Sequence, residues 1–319
     1  MDIPTPPVST PTLLSRRAFL RSTALAALAS AGCATPVGRS GDFIDGHVHV
    51  WTPDMQRYPF APGFTSHDEN RVVASFTPEQ LFTQCRPQGV NRVLLIQMSF
   101  YQFDNRYMLD SIAAHRAAFR GVAIVDEKKP DVCQTMKTLA QQGIRGFRIY
   151  SDKEKHDGWS HSAGLKKMWA CAADEGFAMC LLTDPGALPD VRRMCAAYPR
   201  TRVVIDHFAR IGMKGPVRQH DLDNLRRLAE FEHTHVKTSA FYALGAKKPP
   251  YTDLAPLVRA LRDSYGASRL MWGSDCPFQL QHGQTYAESI SLIRDRLDFL
   301  TATDKEWMLR KTAEKVFFA

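Results

Sequence analysis

The sequence predicts an α/β protein closed into a (β/α)8 barrel, the TIM-barrel architecture, and three observations carry that prediction. From residue 42 onward, short apolar runs rich in β-branched residues alternate with stretches of helical period. That alternation belongs to a parallel sheet whose strands are joined by helices. The runs number eight, which closes such a barrel. The polar residues with the richest chemistry stand at the ends of those runs, where barrel sites are assembled.

The first run covers 43–50. Residues 51–76 follow, with Pro53, Pro59 and Pro62 and no helical period, and read as a long loop over the barrel mouth. Thr77-Pro78-Glu79-Gln80 then starts a helix, with a capping-box pattern and proline at the first helical position. The run 92–98 leads to a helix over 105–118. The run 120–126 leads to one after Asp131, where Val132, Met136, Leu139 and Ala140 form a stripe that packs on the sheet. The remaining runs, 144–151, 177–183, 201–207, 235–240 and 269–275, alternate with helices over 161–175, 187–197, 219–233, 253–265 and 285–299. A last helix at 303–317 closes the count. A doubly wound open sheet would carry a glycine-rich turn after its first strand; here Asp45-Gly46-His47 lies inside the strand.

Residues 1–40 stand outside this pattern and read as an export signal with its linker, leaving 41–319 for the barrel. Ser15-Arg16-Arg17-Ala18-Phe19-Leu20 precedes an apolar stretch over 23–31, far short of the roughly 20 residues a permanent span needs. The motif resembles the twin-arginine export signal, which makes that export machinery an expected partner. Two maturation routes stay open. Ala29-Ser30-Ala31 suits ordinary signal peptidase, whereas Ala31-Gly32-Cys33 resembles a lipobox and would put a lipid anchor on Cys33. The expected location is the periplasm, free or tethered to the membrane.

The chain has 319 residues and a formal charge of +8. Its basic residues are scattered, apart from pairs such as Lys128-Lys129, Lys166-Lys167 and Lys247-Lys248, and no nucleic-acid-binding pattern occurs. Nucleic acid is therefore not an expected partner, and a small anionic substrate is compatible with the surplus. Besides Cys33, six cysteines are present. Cys85, Cys133, Cys171 and Cys195 fall in helical patterns and Cys180 in an apolar run, so buried free thiols are expected.

His47-Val48-His49 ends the first run. Residues i and i+2 of a strand point the same way, so both imidazoles turn toward the barrel axis. That spacing suits one metal ion or one polarised carbonyl. The sixth run ends in His207 and the eighth in Asp275. A carboxylate among imidazoles can take a proton from water while its neighbours stabilise an oxyanion. Arg148, ending the fourth run, suits two-pronged binding of a substrate carboxylate, with an ion pair inside the barrel as the equal alternative. Gln97 and Tyr150 are further candidates for substrate hydrogen bonds.

Through Ile44-Asp45-Gly46-His47-Val48-His49-Val50-Trp51, Tyr58-Pro59, Val204-Ile205-Asp206-His207 and Trp272-Gly273-Ser274-Asp275-Cys276-Pro277, the chain resembles the amidohydrolase-related family, in particular its lactonase-like branch. Gly146-Phe147-Arg148 and Val236-Lys237-Thr238-Ser239 are similar to weaker family segments. The resemblance covers 44–318. It implies hydrolysis of a small lactone, with Asp275 as general base and His47, His49 and His207 around the scissile carbonyl. The chain departs from the metal-dependent members: Arg148 stands in place of a lysine or glutamate, and the fifth run has no histidine. Lys311-Thr312-Ala313 replaces an Asn-Ala pair. A binuclear centre is therefore not expected. The resemblance leaves either no cofactor or one weakly bound divalent ion such as zinc, on His47, His49 and Asp275. Two rival functions stay open: a metal-dependent decarboxylase of the same superfamily, and an exported barrel that binds a ligand without turning it over.

Overall fold

A computed structural model of the chain describes residues 1–2, 42–65, 71–150 and 159–319. The twin-arginine and Cys33 readings lie outside the described residues. Eight parallel strands pair in chain order: β1 (Phe43–Val48), β2 (Val90–Ile96), β3 (Phe119–Ala123), β4 (Ile144–Tyr150), β5 (Ala178–Leu182), β6 (Arg202–Ile205), β7 (Thr234–Ser239) and β8 (Leu270–Gly273). The helices between them are α1 (Pro78–Cys85), α2 (Arg106–Ala114), α3 (Val132–Gln141), α4 (Ala163–Glu175), α5 (Leu188–Ala197), α6 (Gln219–Arg227) and α7 (Ala255–Tyr265), with α8 (Tyr286–Ser291) and α9 (Ala302–Glu306) after β8. Thr77 caps α1 with the reciprocal Gln80 bond that its motif predicts.

The seam between β8 and β1 closes the barrel. Val48 bridges Cys276, the Asp275 N–H donates to the His47 carbonyl at 2.8 Å, and the His49 N–H donates to the Cys276 carbonyl at 2.8 Å. Two glycines permit this approach. A Cβ on Gly46 would stand 2.8 Å from the Trp272 carbonyl oxygen, and one on Gly273 would stand 2.8 Å from the His47 Cβ.

Strand residues alternate between two cores. Val93, Leu95, Val203, Ile205, Leu270 and Trp272 pack in the larger core with the helices. Ile44, Leu94, Ile96, Val122, Cys180, Val204 and Met271 pack together with Ala313, Val316 and Phe317 of the C-terminal segment. Arg92, early in β2, bonds Glu314, and Arg202, first in β6, bonds the Val316 carbonyl. The C-terminal segment thus closes the end where the strands begin, and the reactive residues occupy the other end.

The described part of 51–76 leaves β1, pairs Trp51 with Phe76, and packs Phe60 on Phe100 and Tyr58 on Tyr107 beside α2. Two expectations need correction. The thiols are not all free: Cys133 of α3 and Cys171 of α4 form a disulfide with a Cα–Cα distance of 5.8 Å. Periodicity puts each cysteine on a helix face, but only the packing of the two helices brings them together. Cys85, Cys180, Cys195 and Cys276 are buried free thiols. The later helices also end early: α6 runs into a 3-10 turn, and α8 and α9 run into π turns, in which the apolar spacing continues without α geometry.

Candidate active site

Three imidazoles and a carboxylate meet where the strands end. The β1 backbone is held by Asp45, whose Oδ1 accepts from the N–H groups of His47 (3.0 Å) and Ser274 (2.9 Å), while its Oδ2 accepts from the Tyr286 hydroxyl (2.7 Å). Burial pushes the Asp45 carboxyl up to about 6. His47 and His49 turn to the same side, with their Nε2 atoms 3.2 Å apart. The His49 Nδ1–H donates to the Ile96 carbonyl at 2.8 Å. Such a carbonyl accepts only, so Nε2 of His49 carries a lone pair.

His207 and Asp275 owe their aim to strained backbone. His207, Phe208, Ala209 and Arg210 all have φ between 52° and 57°, a left-handed turn. Such a turn costs L-residues about 1–2 kcal/mol each. It brings the His207 ring over that of His47, with centroids 4.3 Å apart. The Ser239 hydroxyl lies 2.8 Å from Nδ1 of His207, and Nε2 of His207 lies 3.8 Å from Oδ2 of Asp275. Asp275 has φ 61°. Its Oδ1 stands 3.5 Å from Nε2 of His47 and 3.3 Å from Nε2 of His49, and makes no well-directed hydrogen bond within the protein. Its Oδ2 accepts from the Tyr242 hydroxyl at 2.6 Å.

Beneath this group lies a fully buried ion pair: Nζ of Lys237 is 3.0 Å from Oδ1 of Asp206 and 3.2 Å from Nδ1 of His47. Burial opposes the Asp206 charge, but the Lys237 ammonium outweighs it and holds the carboxyl well below its usual range. Burial lowers the pKa of His47, His49 and His207. Burial also opposes the Asp275 charge, and the surrounding imidazoles, His207 first, outweigh it so that the carboxylate stays ionised.

A cavity of about 230 Å³ opens on this centre, lined in part by His49, Arg148, Tyr150, His207, Tyr242 and Asp275. Arg148 is 6 % exposed and donates from Nη1 to the Gln97 carbonyl (3.3 Å) and the Tyr150 hydroxyl (3.2 Å). Its Nε makes no hydrogen bond and lies 3.8 Å from Oδ2 of Asp206, a carboxylate already paired with Lys237. Gln97 does not reach the cavity. Its amide donates to the carbonyls of Asp104 (2.7 Å) and Gln102 (3.3 Å), so it holds the turn after β2 instead of a substrate.

The donor set suits a divalent ion. The triangle of His47 Nε2, His49 Nε2 and Asp275 Oδ1 has edges of 3.2, 3.3 and 3.5 Å. Tetrahedral zinc with ligands at its usual distances needs edges of about 3.3–3.6 Å. His47, Asp206 and His207 form a second close group, but there the Lys237 ammonium already sits on Asp206. Sequence reasoning missed Asp45, Asp206, Lys237, Ser239 and Tyr242. A lysine at the centre of the β7 run was a usable signal, while Tyr242 lies past its strand in no pattern.

The sequence pattern of a family described as Amidohydrolase matches residues 44–319. The chain is 30% identical over 237 residues to an L-fucono-1,5-lactonase of Burkholderia ambifaria, covering 73% of this chain and 80% of that one. It is 24% identical to a 4-sulfomuconolactone hydrolase of Rhizobium radiobacter, covering 73% and 75%. Among solved structures, an amidohydrolase from Burkholderia multivorans with bound zinc superposes with a TM-score of 0.73 at 20% identity, covering 86% of this chain and 99% of that one. At that identity the likeness concerns the fold alone.

Proposed function

This chain belongs to the amidohydrolase family, and from that premise we propose that it hydrolyses a small lactone with Asp275 as the base. The observation that carries this reading is the Asp275 carboxylate at the cavity: Oδ2 is held by Tyr242, while Oδ1 faces two imidazoles without a directed hydrogen bond. The named activities of the two sequence relatives, a lactonase and a lactone hydrolase, support cyclic-ester opening over decarboxylation.

Asp275 takes a proton from water as the water oxygen bonds to the carbonyl carbon, beside the His47 and His49 imidazoles. With the Ser239 hydroxyl donating to Nδ1 of His207, Nε2–H of His207 points at the forming oxyanion. The ring C–O bond then breaks, and its oxygen leaves as the product hydroxyl with the proton that Asp275 carried. Arg148, which shares the Asp206 carboxylate with Lys237, pairs with an anionic substituent of the substrate, and Tyr150 lies beside it. A divalent ion such as zinc, held by His47, His49 and Asp275, would polarise the carbonyl as a Lewis acid.

The test is Asp275→Asn against a panel of neutral and carboxylated lactones. Turnover is expected to fall by about 10²–10⁴-fold with the melting temperature retained. Near-normal turnover in the variant removes Asp275 as base, and a wild type that opens none of the panel removes the lactonase reading.

The same reading takes 1–40 as a twin-arginine signal and linker that carries the barrel 41–319 to the periplasm, with Cys33 either lipidated or kept unmodified after cleavage behind Ala31. The Cys133–Cys171 disulfide supports an oxidising destination. Cell fractionation with mass analysis of the mature N-terminus decides it.

A further inference from the structure

We propose that the lactone opened at Asp275 carries an apolar arm, alkyl or aryl, which lies in a second cavity beside Arg148 and Tyr150. The inference rests on the reading above only in placing the reacting ring at Asp275.

A cavity of about 270 Å³ adjoins the catalytic one at the same end of the barrel, and Arg148 and Tyr150 line both. Among the described residues, Ile124, Val125, Ile149, Trp159, Leu165 and Met168 form its apolar walls. They come from just past β3, from the end of β4, and from α4 with the residues before it. Phe103, in the turn after β2 and 51 % exposed, carries the apolar surface outward.

Hydrogen bonds hold these walls in place. The buried Asn105 amide donates to the carbonyls of Ile124 (2.9 Å) and Phe103 (3.1 Å), and its oxygen accepts from the Ile124 N–H (3.2 Å). On the facing side, Oδ2 of the buried Asp190 accepts from the N–H groups of Trp159 (3.1 Å) and Ser160 (3.3 Å). Ser162 caps α4 on the Leu165 N–H at 3.2 Å. The cavity is thus a built space, with its polar groups engaged in supporting it.

The lining selects the arm. Small-molecule sites are mostly apolar, with a few polar groups that fix orientation; here Asp275 and Arg148 orient the ring and the second cavity receives the rest. A hydroxylated arm would bury hydroxyls against walls that offer no partners. Glu127, the acid in this lining, disfavours an anionic arm.

The test uses the straight-chain carboxylates acetate, butyrate, hexanoate and octanoate, titrated into the protein and followed by their own NMR signals. The carboxylate pairs with Arg148 and the tail enters the second cavity, so each added methylene should tighten binding by about fourfold. Leu165→Trp, at a half-buried position, fills the cavity and should flatten the series while leaving acetate unchanged. Phe103→Ser, at an exposed position where folding is not at stake, should weaken octanoate and spare acetate. No binding, a flat series in the wild type, or a series as steep in Leu165→Trp as in the wild type overturns the proposal. If Leu165→Trp fails to fold, unchanged octanoate affinity in Phe103→Ser overturns it instead. Lactones with alkyl arms of the same lengths should show kcat/KM rising in step. A wild type that opens none of them removes the lactonase reading, and the carboxylate series still decides the cavity.

Discussion

Tyr242 donates a 2.6 Å hydrogen bond to the oxygen of Asp275 that does not face His47 and His49. It therefore holds the carboxylate rotamer that turns Oδ1 toward the imidazoles. Tyr242→Phe keeps the ring and removes that bond. Its kcat for a lactone is expected to fall about tenfold, roughly 1.4 kcal/mol in the barrier, with KM little changed and the fold intact; an unchanged kcat would show that packing alone holds Asp275. Much of this centre was legible beforehand. His47, His49, His207 and Asp275 each stand at the end of an apolar run, and parallel strands in a barrel deliver such ends to one rim. Gln97 met the same criterion and faces elsewhere, because the turn after β2 offers its amide two backbone carbonyls. Lys237 and Asp206 have their partners 190 and 31 positions apart in the chain, so no local pattern couples them.

Among the elements, the β8–β1 seam carries the chemistry. Its backbone bonds set the separation of His47 and Asp275, and Gly273 lets the two strands approach. Gly273→Ala would place a methyl 2.8 Å from the His47 Cβ and 2.9 Å from its backbone nitrogen. The strands would have to part, at about 1–3 kcal/mol. A lower unfolding midpoint in urea is expected, with a loss of turnover in the fraction that remains folded; an unaltered midpoint would mean that the seam yields without cost. The run of strands was readable because each is a short apolar segment bounded by turn residues. Their exact last residues were not. The chain leaves β6 and β8 through positive φ at His207 and Asp275, and nothing in the local composition of a histidine or an aspartate announces a left-handed turn.

At the scale of the molecule, the Cys133–Cys171 disulfide ties α3 to α4 outside the barrel, and neither cysteine lines the catalytic cavity. Closing a loop of sequence separation 38 restrains the unfolded chain by up to about 4 kcal/mol in the chain-entropy account. Cys133→Ser/Cys171→Ser is expected to melt several degrees lower with kcat and KM unchanged. A catalytic defect as large as the loss of stability would instead couple these helices to the site. The amino-acid sequence by itself determined the number and order of strands and the four residues gathered at the barrel rim, because these follow from short-range periodicity and the handed, in-order pairing of a βα repeat; the family was legible in local motifs. The tertiary structure alone decided the disulfide, the Asp45 clasp, the Tyr242 bond and the Lys237–Asp206–His47 network. Each of these depends on contacts between groups mostly far apart along the chain, which packing sets and periodicity does not encode.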